Sequence, residues 1–103
     1  MKLLTKEIKA RFAKLGRQEE AGDNAVVVCK FFDPCGSWTW YATEFDPEEG
    51  IFFGMVHGFE DELGYFSLAE LEGIRGPLGL GIERDLHWSE TTLEALRLEH
   101  HHS

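Results

Sequence analysis

Between residues 25 and 57, three runs rich in β-branched and aromatic residues, AVVVCKFF, WTWYATEF and IFFGMVH, are separated only by DPCGS and DPEEG. Pro34, Gly36, Pro47 and Gly50 mark both separators as turns. Connections this short join neighbouring strands antiparallel, because a parallel return needs a crossover of about a dozen residues or more. The pattern predicts a three-stranded meander, and the rest of the chain must supply whatever covers it.

Centring the first turn on Pro34 and Cys35 sets Cys29 opposite Trp40 and Phe31 opposite Trp38. Centring the second on Glu48 sets Trp40 opposite Val56 and Ala42 opposite Gly54. Side chains alternate across a strand, so one face is expected to carry Val27, Cys29, Phe31, Trp38, Trp40, Ala42, Phe52, Gly54 and Val56. That face is apolar throughout and demands cover. Gly54 and Gly58 lie across from the two tryptophans, leaving bare backbone for an indole. The other face would hold Val26, Val28, Lys30, Thr39, Tyr41, Thr43, Ile51, Phe53, Met55 and His57. It is too apolar for a plain solvent face and too polar for a plain core. Either a later segment covers part of it, or it is a contact surface. A one-residue slip in either turn would exchange the faces.

The flanks supply candidates for the cover. Thr5 caps a helix over Lys6 to Leu15, with an apolar stripe of Ile8, Phe12 and Leu15, and Gly16 stops it. RQEEAGDN is a polar connector without periodicity. After GFEDELG, Tyr65 and Phe66 read as a short fourth strand. Ser67 with Glu70 forms a capping box for a short helix through Leu68, Leu71 and Ile74. GIRGPLGLG is irregular, a shaped loop packing Leu78 and Leu80. Ile82, Leu86 and Trp88 then alternate with Glu83, Asp85 and His87 as a half-buried strand, with Arg84 the exception. Thr91 with Glu94 caps a final short helix that turns Leu93 and Leu96 inward. The expected fold class is α+β: an N-terminal helix packed on an antiparallel meander, a short helix, a further strand and a short C-terminal helix.

A chain of 103 residues has room for one hydrophobic core. LEHHHS, Leu98 to Ser103, resembles a cloning scar with a short purification tag, so residues 1–97 are read as the single domain and 98–103 as a tag remnant. On that reading His100, His101 and His102 carry no native metal chemistry. Setting Glu99 aside lowers the 19 acidic residues by one against 10 basic, a net charge of about −8 rather than −9. This balance argues against a phosphate-tracking nucleic-acid binder. Lys2, Lys6, Lys9, Arg11, Lys14 and Arg17 all precede residue 18, and this basic start reads as the solvated face of the first helix. MKLLTKEIKARF lacks the apolar run of a signal peptide, and no segment approaches the ~20 apolar residues of a membrane span. The expectation is a cytoplasmic protein with no membrane partner and with Cys29 and Cys35 reduced.

Catalytic signals are sparse. HGFEDE, residues 57–62, is the densest ionisable group, and an acidic loop is its plainest reading. His57, Glu60, Asp61 and Glu62 offer ligand atoms for a divalent ion, though in no known ligand spacing, and His57 with Glu60 or Asp61 would suit a general base oriented by a carboxylate. Thr39 and Tyr41 join His57 on the mixed face, so the candidate binding residues are Thr39, Tyr41, His57, Glu60 and Asp61. GPLGLG matches neither G-x-G-x-x-G nor a P-loop. Cys35 has no basic neighbour to activate it. Neither a catalytic set, a metal site nor a cofactor is assigned.

Trp38-Thr39-Trp40-Tyr41, Glu44, Asp46-Pro47, Phe53-Gly54, Gly64-Tyr65-Phe66-Ser67 and the run from Gly76-Pro77-Leu78-Gly79-Leu80 to Glu83-Arg84-Asp85 together resemble the DUF2958 family, over nearly all of residues 1–97. The resemblance implies a bacterial cytosolic protein of plasmids and conjugative or integrative elements, and it implies no catalytic residues. The leading expectation is a protein-binding accessory module, with self-association through the mixed face or an edge strand as a further possibility. The alternatives are a small hydrolase using His57 with Glu60 or Asp61, and a DNA-mimic inhibitor of antirestriction type.

Overall fold

A computed structural model describes residues 2–102, with side chains as far as His100. Helix α1 spans Lys6–Leu15, where the sequence places it. The Thr5 hydroxyl accepts from the Ile8 amide at 3.2 Å, and Gly16 closes the helix at φ 62° with its amide donating to the Phe12 carbonyl. A 3-10 turn, Glu19–Asn24, follows. Strands β1 (Val26–Val27), β2 (Cys29–Phe32), β3 (Thr39–Asp46), β4 (Ile51–His57) and β5 (Asp61–Ser67) lead into helix α2 (Leu68–Gly73). The chain ends with β6 (Glu83–Arg84), β7 (Thr91–Thr92) and helix α3 (Leu93–His102). The main sheet is antiparallel and runs β5-β4-β3-β2-β6, while β1 pairs with β7 alone. The fold is α+β, with the expected meander at its centre.

The two turns differ in how they meet expectation. The second pairing holds as read, Trp40 with Val56 and Ala42 with Gly54. The first loop is longer than expected, so Cys29 faces Ala42 and Phe31 faces Trp40. A slip of two residues keeps each side chain on its face, so the division into faces survives it. Trp38 does not survive as a core residue. Strand β3 begins after it, and its indole is 39% exposed.

Two irregularities shift further residues. Val28 donates to the Ala42 carbonyl at 2.9 Å while Cys29 pairs with the same residue. One extra residue stands there, and alternation slips. Val28 therefore joins the core under α1, and Val27 crosses to the opposite cluster, the reverse of the sequence reading. A β-bulge between Ala42 and Glu44 leaves Thr43 unpaired in the ladder. Its hydroxyl donates to the Phe53 carbonyl at 3.1 Å, and the bulge turns Phe45 beneath α1.

Two cores result. The larger packs Leu3, Leu4, Phe12, Val28, Cys29, Phe31, Trp40, Ala42, Phe52, Phe66, Leu71 and Ile82 between α1, α2 and the sheet. Phe52 is its hub, with ring centroids 4.7 to 6.0 Å from Phe45, Phe31, Phe66 and Phe12. Aromatic packing of this kind accounts for most of the enrichment in β3–β5. Burial pushes the Cys29 thiol up to about 12, while Cys35 is exposed. The smaller core gathers Ala25, Val27, Tyr41 and Met55 under Leu93 and Leu96 of α3. The mixed face is thus covered in part by a later segment, one of the two alternatives its composition left open.

The C-terminal third departs most from expectation. The fourth strand is seven residues long rather than two and absorbs Asp61 and Glu62, so HGFEDE is not an acidic loop. The strand expected around Ile82–Trp88 shrinks to Glu83–Arg84. Ile82 enters the larger core and Trp88 the smaller, while Leu86 is 63% exposed. Arg84, the exception to the alternation, donates to the carbonyls of Lys2 and Leu3 at 2.6 and 2.9 Å. Leu78 and Leu80 are exposed rather than packed. Thr92, not Thr91, accepts from Ala95 at the start of α3.

The closest backbone approach is at Gly54. A Cβ there would lie 1.8 Å from the Tyr41 carbonyl oxygen, so backbone rather than an indole occupies the space. Gly58 is the glycine beneath an indole, since its Cβ would meet Trp38 at 2.6 Å. Gly54→Ala is expected to cost about 3 kcal/mol, at the upper end of overpacking. Gly73→Ala, in open space within α2, should stabilise by about 0.5 kcal/mol. Urea denaturation of both variants checks the contrast.

Candidate functional site

Tyr41, His57 and Asp61 are brought together by the β3–β4–β5 ladder. Thr39 faces His57 across one pair of strands, and His57 faces Asp61 across the next. The turn Gly58–Phe59–Glu60 between β4 and β5 lets His57 and Asp61 sit directly opposite. The Asp61 carboxylate accepts from Nδ1 of His57 and, at 2.9 Å, from Nδ1 of His100. With Nδ1 of His100 directed there, its Nε2 makes a hydrogen bond with the Tyr41 hydroxyl at 3.3 Å. The His57 and His100 rings lie 4.5 Å apart, and Tyr41 and His100 5.7 Å.

Cover from the C-terminal segment sets the electrostatics. Tyr41 is buried beneath α3 and Trp88, whose indole donates to the Val27 carbonyl at 3.1 Å. Burial pushes the Tyr41 phenol up, and the charges of Asp61, Glu99 and Asp85 push it further. Partial burial pushes the Asp61 carboxyl up too, but the two histidine hydrogen bonds and their charges outweigh it and hold the group below its ordinary range.

The other candidates separate. Thr39 stays beside His57. Glu60 points elsewhere, into a depression of about 230 Å³ lined with Trp38, Val56, Phe59 and Glu62 on the α1 side of the sheet. The structure therefore pairs His57 with Asp61 and not with Glu60.

Three features escaped the sequence reading. His100 was set aside with the terminal segment, yet it bridges Tyr41 and Asp61. Gln18, in the connector, spans β1 and the β3 bulge. Its carboxamide donates to the Val26 and Thr43 carbonyls at 3.0 and 2.7 Å and accepts from the Val26 amide at 2.7 Å. A lone Gln between charged residues gives no periodic signal for this. Phe59 is 95% exposed, and its ring meets Trp38 edge-on at 5.7 Å. Its position between Gly58 and Glu60 in a tight turn was the available clue.

Chemically, the carboxylate orients His57 and leaves its Nε2 as acceptor, the arrangement of a general base. His57, Asp61 and His100 also offer ligand atoms all within 4.8 Å of one another, a two-histidine, one-carboxylate set of the kind divalent transition metals accept. His100 is the member that the 98–103 segment contributes. A family model described as "Protein of unknown function (DUF2958)" matches residues 3–97, which include Tyr41, His57 and Asp61. No curated protein and no solved structure matches the chain.

A depressed carboxyl stabilises the fold above its unfolded pKa of about 3.9, and this contribution is lost as pH falls through the folded value. Asp61→Asn is expected to cost on the order of 1 kcal/mol near neutral pH. The gap to the parent should close below about pH 4, as chemical denaturation across the acid range would record.

Proposed function

The chain belongs to the DUF2958 family, and from that premise we propose that it is a cytoplasmic protein-binding accessory module of bacterial plasmids or integrative elements, docking through Trp38 and Phe59. The observation that carries this reading is Phe59, 95% exposed at the tip of the β4–β5 hairpin and held edge-on against a 39% exposed Trp38. A phenylalanine in water beside a preformed aromatic support is an anchor that needs little ordering on binding. Gly58 supports the pair, because its missing Cβ makes room for the Trp38 ring. Glu60 and Glu62 line the same depression, which suits a partner pocket that is apolar at its centre and basic at its rim. Among the described residues no helix is long and apolar enough to cross a membrane, and the net charge of −9 favours a protein over nucleic acid as partner.

A second reading, a small hydrolase, rests on His57 oriented by Asp61 near Tyr41. Affinity capture from a host carrying such an element separates the two. The parent chain and His57→Ala should retain the same partner, and Phe59→Ala should weaken it at least about tenfold. Equal capture by the parent and Phe59→Ala overturns the docking surface. Turnover of ester or phosphoester substrates that His57→Ala abolishes favours the hydrolase instead.

A further inference from the structure

We propose that two copies of this chain pair through β5, antiparallel and centred on Gly64, to form a continuous ten-stranded sheet. Strand β5 is one of the two outer strands of the five-stranded sheet, β6 being the other, and no strand among the described residues pairs its other side. Native edge strands usually carry charged side chains, lysine above all, a proline or a bulge that blocks further pairing. DELGYFS has no lysine or proline, its charges are confined to Glu62 and to Asp61, which His57 and His100 hold, and its register with β4 is unbroken from Ile51–Ser67 to His57–Asp61.

The hydrogen bonds at its two ends show which backbone groups face outward. Leu68 donates to the Gly50 carbonyl at 2.9 Å, and Gly58 to the Glu60 carbonyl at 3.2 Å. Between these bonds the even-numbered residues of β5 serve the β4 ladder. Asp61, Leu63, Tyr65 and Ser67 therefore direct their amides and carbonyls away from the sheet. A partner in register must match those four positions. A second β5 centred on Gly64 does so over the whole strand, setting Leu63 against Tyr65 and Asp61 against Ser67 of its copy.

Side chains favour the same register. Leu63 is 49% and Tyr65 73% exposed, and both stand beside Phe53 on one face, with Tyr65 packed edge-on to Phe53 at 5.0 Å. Pairing would join the two patches into one apolar strip across the symmetry axis. Like charges do not meet, since Glu62 falls opposite Phe66 and Asp61 opposite Ser67. Gly64 meets Gly64 in a narrow, non-hydrogen-bonded pair, where Cα atoms approach to about 4.5 Å. A Cβ on Gly64 would meet nothing within the chain itself.

Light scattering with size exclusion should give a species of twice the 11.8 kDa chain mass. Because each copy carries net charge −9, the dimer should tighten as salt rises from about 0.05 to 0.5 M. Leu63→Lys, on an exposed site, should raise the dimer Kd at least about tenfold while far-UV circular dichroism stays unchanged. Gly64→Cys in a Cys35→Ser background should oxidise to a linked dimer, since a narrow pair has disulfide geometry, whereas Glu62→Cys should not. A monomer at every concentration and salt overturns the proposal and leaves the edge to a strand of another protein. A dimer that Leu63→Lys leaves intact, or one that cross-links at residue 62 instead of 64, overturns this interface.

Discussion

The structure depends on the contact between Ala42 of β3 and Gly54 of β4, where two backbones meet too closely for a Cβ on residue 54. Immediately beyond that contact the β3 bulge reverses the alternation of side chains. Before it, Trp40 and Ala42 face α1 and Tyr41 faces α3. After it, Phe45 faces α1 and packs at a tilt against Phe52. One strand thereby serves two cores. The bulge also exposes backbone groups that a regular ladder would satisfy, and the Gln18 carboxamide takes up the Thr43 carbonyl. Buried backbone groups without partners cost about as much as a lost hydrogen bond each, so the connector is an integral part of the sheet.

Asymmetry between the two cores shapes the molecule's surface. The α1 side is packed with aromatic rings and closes over Trp40. The α3 side is smaller and covers only Tyr41, Met55 and their neighbours, leaving Phe53, Leu63 and Tyr65 toward the β5 edge. The polar cluster of Tyr41, His57 and Asp61 lies at the border of this cover. Desolvation raises the Tyr41 phenol and is also the largest single influence on Asp61, where the two histidine hydrogen bonds and the histidine charges together outweigh it. The Trp38–Phe59 knuckle stands at the tip of the β4–β5 hairpin, and the β5 edge begins two residues beyond Phe59, with Glu62 belonging to both surfaces.

Much of the fold was legible in local pattern. Thr5, Gly16 and Ser67 act at helix ends because capping involves residues three or four apart. The pairing of Trp40 with Val56 followed from a short turn. Tyr41 and His57 share a face because strand alternation is a backbone property. Their convergence with Asp61 was only half legible, since HGFEDE carries no sign that the turn ends at Glu60 and not beyond. Trp38 was misplaced because the first loop is longer than its Pro-Gly signature suggests. Leu86 and Trp88 were misassigned to a strand because their alternation imitates one, whereas the contact with β2 ends at the Asp85 amide on the Lys30 carbonyl.

By itself, then, the sequence determined the elements that rest on near neighbours along the chain: the α1 boundaries, the order of the meander strands, and the apolar composition of the face that α1 covers. Only the tertiary structure decided where alternation breaks, at Val28 and Thr43, and which late segment caps the mixed face. Bulges and edge pairings arise from competition among distant backbones for the same hydrogen-bonding groups, and no short stretch of residues records the outcome of that competition.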